Sequence, residues 1–241
     1  MNVLSIGNSF SQDAQKYLHG IARADGVTLD CFNLYIGGCT LERHFRNMMS
    51  DKREYCLEMN GQSTGFYVSI KEALLTRSWD VVTVQQASHQ STRFDNYTPY
   101  IEKLAAYIRE LCPKAKIAVH KTWAYEQGSE RIEKIFGYTD QRMMFDELDA
   151  AYNRAAEVIG ADIMIPSGDV FQSLIAAGFE KIHRDTFHAS YGVGRYALGL
   201  TWYAVLTGKG VTDNSFCDFA EPISADDILT VKRCVMETIK R

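Results

Sequence analysis

Five short apolar runs, each followed by a segment of helical character, constrain this chain more than any other feature. They are residues 3–6, 27–36, 81–85, 116–120 and 162–165. Val81-Val82-Thr83-Val84 shows no polar alternation, which suits a strand covered on both faces, as in parallel sheets. Between and after the runs, helical segments read at 11–24, 41–49, 97–112, 141–159, 170–177, 191–206 and 225–240. In the first, Ala14, Tyr17, Leu18, Ile21 and Ala22 share one face and Ser11 is a fair N-cap; Pro113 and Gly160 end the third and fourth. The alternation predicts an α/β fold, a three-layer α/β/α sandwich on a five-stranded parallel sheet with right-handed crossovers. Residues 55–70 break the rhythm: two extended runs flank Asn60-Gly61, so a β-hairpin excursion is expected there. Residues 127–140 read as a polar, irregular stretch. At 241 residues and 46% hydrophobic, the chain has enough apolar surface for one large core, and a single domain over 1–241 is expected.

Several function classes drop out. Net charge is -4 and no basic stripe is present, so nucleic acid is not an expected partner. No apolar run approaches the roughly 18 residues of a membrane span. No basic leader with a long apolar stretch precedes residue 2, so a cytoplasmic protein is expected, although a secreted chain stripped of its leader would read the same. The six cysteines are scattered without a C-x-x-C pair, which predicts reduced, mostly buried thiols and no zinc site. Oligomeric state is not legible.

Ligands of open parallel sheets bind beyond the carboxyl ends of the strands. Ser9, Gly38, Gln86 and Trp123 each follow a strand, so they should share one rim. Ser9 lies in Gly7-Asn8-Ser9, on a strand-to-helix turn where free N–H groups favour developing negative charge; Ser9 or Ser11 could also simply cap the helix. Neither a P-loop nor a Gly-x-Ser-x-Gly elbow is present. Far downstream, Asp185 and His188 stand three residues apart before a helix. Serine, imidazole and carboxylate are the parts of a serine hydrolase. The same loop could be an ordinary polar turn, or His183, Asp185 and His188 could be metal ligands. Trp123 and Tyr125 offer an aromatic wall suited to sugar rings or acyl chains, or plain packing. Of the unassigned histidines His44, His89 and His120, His89 is best placed to reach the rim.

On these residues the chain resembles the SGNH (GDSL-like) hydrolases, and most of all a bacterial branch catalogued as a domain of unknown function. Gly7-Asn8-Ser9 stands where that superfamily has Gly-Asp-Ser. Gly38-Cys39-Thr40 matches its Gly-x-Thr, and Asp185-Thr186-Phe187-His188 its Asp-x-x-His. The likeness runs from residue 2 to about 207, and 35–41, 85–88 and 122–125 resemble the uncharacterised branch in particular. It implies the flavodoxin-like SGNH fold, Ser9 as nucleophile, His188 as base, Asp185 as its orienter, and an oxyanion hole from the N–H groups of Ser9 and Gly38, with no metal or organic cofactor. The superfamily's Gly-x-Asn-Asp is missing. Its asparagine donor has Gln86 as the expected replacement, with Gln85, Ser88 and His89 as alternatives. Asn8, Trp123, Tyr125 and His89 are the candidate substrate contacts. The expected activity is hydrolysis of small acyl esters, such as acetyl groups on carbohydrates; the alternative is a catalytically weak module that binds glycans or anions on the same fold.

Overall fold

The computed structural model describes residues 1–240. Strands β1 (Asn2–Gly7), β2 (Asp30–Tyr35), β3 (Tyr55–Met59), β4 (Gln62–Val68), β5 (Val81–Val84), β6 (Lys116–Lys121) and β7 (Ile163–Pro166) form one sheet in the order β4-β3-β2-β1-β5-β6-β7. The five expected strands pair in parallel as β2-β1-β5-β6-β7. The sheet has seven strands rather than five, because the hairpin is no separate excursion. Met59 to Cys56 pair antiparallel with Phe32 to Tyr35, which covers the outer edge of β2 and satisfies its open ladder. Asn60 and Gly61 make the two-residue turn, both with positive φ (51° and 75°).

Helices α1 (Ser9–Gln15), α2 (Leu18–Ala24), α7 (Ser167–Ala176), α8 (Val193–Thr207) and α9 (Ala225–Ile239) pack together on one face. Helices α3 (Leu41–Met49), α4 (Ile70–Leu75), α5 (Tyr100–Leu111) and α6 (Gln141–Ile159) cover the other. Apolar side chains of all the core strands are buried between these layers, including every residue of β5. The helix expected over 11–24 is two. It starts earlier, at Ser9, because Asn8 rather than Ser11 is the cap, and it breaks at Tyr17. Tertiary bonds fix the break: the Tyr17 hydroxyl donates to the Tyr191 carbonyl (2.5 Å) and accepts from the Ala220 N–H (2.8 Å). The stretch 127–140 contains a single π-type turn, Ile132–Phe136.

Among the described residues no helix is long and apolar enough to cross a membrane. All six cysteines are free; Cys31, Cys39, Cys112 and Cys234 are buried. Burial pushes the Cys31 and Cys39 thiols up to about 12, which makes them poor nucleophiles. Connections diverge where β1 lies between β2 and β5, the switch point at which a crevice opens beyond the strand ends.

Candidate active site

The turn from β1 into α1 is built around close approach. A Cβ at Gly7 would lie 2.0 Å from the Ser11 hydroxyl, so only glycine fits. Asn8 then caps the helix: its Oδ1 accepts from the Phe10 N–H (3.0 Å), and the Ser11 hydroxyl accepts from the Asn8 N–H (3.0 Å). This reciprocal cap makes Ser9 the first helical residue. Its N–H has no protein acceptor among the described residues. Asn8 also donates through Nδ2 to the Cys39 carbonyl (3.2 Å), fastening the turn after β2. Gly38 stands in that turn with φ +61°, and its N–H is likewise free among the described residues.

The other half is a tight loop from His183 to Ala189. These two residues bridge, and the Arg184 N–H donates to the His188 carbonyl (3.0 Å). The Asp185 carboxylate receives the His188 backbone N–H (2.8 Å) on one oxygen and the His188 Nδ1–H (2.7 Å) on the other. His188 Nε2 lies 2.8 Å from Ser9 Oγ. Burial alone would push the Asp185 carboxyl up, but the bonds from the His188 ring and backbone outweigh it and hold the group below its ordinary range.

Several anchors hold this loop. Trp123 Nε1 donates to the Phe187 carbonyl (2.8 Å), and the Glu126 N–H to the Thr186 carbonyl (2.7 Å). Asp13, fully buried and one turn beyond Ser9 on α1, accepts from the Ala189 N–H (3.1 Å), Arg184 Nη1 (2.9 Å) and Arg195 Nε (2.8 Å). One carboxylate thus ties the helix of the serine to the loop of the histidine.

Ser9 and His188 open on a cavity of about 610 Å³. Gly38, His89 and Tyr125 are among its lining residues, and the Tyr125 hydroxyl is bonded to Ser88 Oγ (2.9 Å). Burial lowers the pKa of His89, which keeps its ring neutral near pH 7. Asn8 reaches the cavity wall, but its amide is spent on the turns.

Two expected residues do not belong to the cavity. Gln86 is fully buried. Its Oε1 accepts from the Leu41 and Ala87 N–H groups (3.0 and 2.8 Å), and its Nε2 donates to the Asn96 carbonyl (2.7 Å). The longer arm satisfies backbone around α3 instead of facing substrate. Gln85 is equally occupied, so Ser88 and His89 are the members of that segment on the cavity. Trp123 is also fully buried, stacked between Phe10 (4.2 Å) and Phe171 (4.8 Å). Its contribution is the bond to Phe187. The three metal candidates are not brought together: His183 donates from Nε2 to the Ala124 carbonyl (3.1 Å), Asp185 is bonded to His188, and no three His, Cys, Asp or Glu side chains converge among the described residues. Sequence reasoning missed Tyr35, Arg131 and Arg184 on the cavity. Arg184 adjoins Asp185 and was open to notice; Arg131 lies in a stretch without a motif.

The family profile described as a domain of unknown function, DUF4886, matches residues 2–228. A DUF4886 family protein from Bacteroides uniformis is 32% identical with TM-score 0.90, covering 100% of this chain and 95% of that one. A protein assigned to the SGNH hydrolases, from Slackia heliotrinireducens, superposes with TM-score 0.63 at 20% identity over 86% of this chain and 98% of that one. Axe2, an acetylxylan esterase from Geobacillus stearothermophilus, does so with TM-score 0.55 at 14% identity over 85% and 91%. The fold is therefore that of the SGNH hydrolases. No curated protein matches the sequence.

Proposed function

We propose that this chain, which belongs to the DUF4886 family, is a serine esterase. The observation that carries the reading is the continuous series from Ser9 Oγ to His188 Nε2 (2.8 Å) and from His188 Nδ1 to Asp185 (2.7 Å), at the mouth of a cavity beside two free backbone N–H groups.

Ser9 Oγ attacks the ester carbonyl while His188 Nε2 takes the hydroxyl proton. Asp185 holds the ring in the tautomer that leaves Nε2 free and balances the imidazolium charge. The N–H groups of Ser9 and Gly38 stabilise the oxyanion, with Ser88 Oγ or His89 in place of the missing asparagine. His188 then gives its proton to the departing alcohol oxygen, leaving an acyl-serine. Water, deprotonated by the same imidazole, attacks that ester; the acid leaves and Oγ recovers the proton. No cofactor enters these steps. A small acyl group on a carbohydrate is the substrate class we favour, because SGNH-fold relatives include acetylxylan esterases.

The displacement of Gln86 from the cavity favours one second reading, a module that binds glycans or anions with little turnover, since an oxyanion donor is worth roughly 3 kcal/mol. A fluorophosphonate separates the two. The esterase reading expects stoichiometric labelling at Ser9 and chelator-resistant turnover of p-nitrophenyl acetate. A folded protein that neither labels nor turns over is a binding module.

A further inference from the structure

The cavity differs in charge from the rest of the chain. Two arginines, Arg131 and Arg184, line it, and no carboxylate does, in a protein of net charge -4. Arg184 shares its single carboxylate, Asp13, with Arg195, so that buried cluster carries one positive charge in excess. Arg131 has no carboxylate partner among the described residues. Its neighbour Glu130 is taken up by Lys134. Nor is Arg131 loose: its guanidinium lies 4.2 Å above the Phe187 ring. The segment carrying it is tied down by Ser129 Oγ, which donates to Thr186 Oγ1 (3.0 Å).

Position says which half of a substrate this charge would meet. The Phe187 ring centroid is 3.9 Å from the His188 ring. His188 must protonate the departing oxygen, so the alcohol half lies on the imidazole side of Ser9, where Phe187 packs on His188 and Arg131 on Phe187. The carbonyl oxygen points to the N–H groups of Ser9 and Gly38. Arg131 is exposed at the cavity rim, and a guanidinium with no protein acceptor recognises carboxylate or phosphate by charge-assisted hydrogen bonds.

We propose that Arg131 is a specificity-determining residue, and that the preferred ester carries an anionic group on its alcohol half, as an acylated uronic acid or hydroxy acid does. This rests on the esterase reading. Arg184 adds to the same field from the cavity wall.

The test compares 4-acetoxybenzoate with its neutral analogue 4-acetoxybenzamide. Wild type should favour the benzoate in kcat/KM, and Arg131→Gln should lower the benzoate-to-benzamide ratio by about fivefold to tenfold, the size expected of one partly screened charged contact. Taking the ratio cancels the intrinsic reactivity of the two compounds. Added salt should erode the preference in wild type and hardly change it in the variant. A ratio that Arg131→Gln leaves unchanged overturns the proposal. So does a preference found only when the charge is on the acyl half, as in p-nitrophenyl succinate against p-nitrophenyl butyrate.

Calorimetry on Ser9→Ala gives a readout free of turnover: it should bind 4-acetoxybenzoate more tightly than the benzamide, and Ser9→Ala with Arg131→Gln should not. If wild type hydrolyses neither compound while that binding preference persists, the esterase reading fails and the anion site stands. Hydrolysis of both with no charge preference leaves the esterase reading and removes the anion site. Neither hydrolysis nor preferential binding overturns both.

Discussion

Two serine–histidine pairs occupy this molecule, and they are nearly the same at the level of hydrogen bonds. In one, Ser9 donates to His188 Nε2 (2.8 Å) and His188 Nδ1 donates to Asp185 (2.7 Å). In the other, Ser167 donates to His120 Nε2 (2.9 Å) and His120 Nδ1 donates to the side-chain amide oxygen of Gln85, Oε1 (2.6 Å). The differences are access and charge. Ser9 and His188 line the cavity, whereas Ser167 and His120 are completely buried. The third member is a carboxylate in the first pair and a neutral amide in the second. An imidazole that never meets a charge and never meets water has no reason to accept a proton, and burial pushes the His120 pKa down to about 3. The second pair continues as a structural chain: Gln85 Nε2 donates to Asn8 Oδ1 (2.8 Å), and Asn8 Nδ2 to the Cys39 carbonyl (3.2 Å). Ser167, His120, Gln85 and Asn8 each donate to the next acceptor in one direction. The buried pair thus holds the two turns that present the Ser9 and Gly38 N–H groups. On the esterase reading, what sets Ser9 apart is not its proximity to a histidine but the carboxylate behind that histidine and the opening to solvent.

The comparison is broken most directly by deleting each hydroxyl. Ser9→Ala should lower kcat for a model ester by about four to six orders of magnitude, the scale of nucleophile removal. Ser167→Ala should change kcat by no more than tenfold, roughly the size of a slight misplacement of Asn8. Its cost should fall on stability instead, about 1–3 kcal/mol, because a buried imidazole nitrogen loses its donor. Comparable kinetic losses from the two variants would mean that the pairs are not functionally distinct.

Exchanging the third members sharpens the same contrast. Asp185→Asn should reduce kcat/KM by about a hundredfold, less than the 10⁴ known for a fully buried triad carboxylate, because Asp185 is 44% exposed and partly screened. Gln85→Glu gives His120 a carboxylate in place of the amide. It should create no second activity, since Ser167 meets no substrate, and should destabilise the fold by about 3–5 kcal/mol through an incompletely paired buried charge. Chemical denaturation reads that loss, and an unchanged midpoint would show that the interior near His120 is wetter than its burial implies.

The first of these pairs was legible in the sequence and the second was not, for a physical reason. Ser9 and His188 stand on local motifs, Gly7-Asn8-Ser9 and Asp185-Thr186-Phe187-His188, whose turn chemistry is written within four residues. His120 and Ser167 belong to neighbouring parallel strands and the helix that follows, 47 residues apart, and only the sheet brings them together. The parallel core was readable from its apolar runs. Attachment of the hairpin to β2 was not, because edge pairing depends on which edge is open and not on the hairpin's own pattern. Gln86 misled for a similar reason. The resemblance to the superfamily's Gly-x-Asn-Asp block pointed to an oxyanion donor, but the carbonyl of Asn96 and the N–H groups of Leu41 and Ala87 claim its amide. Asp13 shows the reverse case: a charge on the buried face of a short helix reads as an anomaly, and its partners Arg184 and Arg195 lie more than 170 residues away.

The smallest expected effect tests the neutrality of the buried pair. The unfolded chain protonates His120 near the ordinary histidine pKa of about 6.5, while the folded chain resists until about 3. Below pH 6.5 the unfolded state therefore binds the extra proton, and the stability present above that pH is lost progressively as pH falls toward 3. His44 and His183, held down to about 3 and about 4 by burial, act in the same sense. Each contributes a slope of at most about 1.4 kcal/mol per pH unit in that window. His120→Gln removes one of these contributions. Urea unfolding at several pH values between 6 and 4.5 should therefore give the variant a shallower decline than wild type by about that amount, whatever its stability at pH 7. A variant curve parallel to wild type would mean that His120 exchanges its proton as readily in the folded chain as in the unfolded one. The buried pair would then differ from the Ser9–His188 pair only in lacking a substrate, and not in the chemistry open to it.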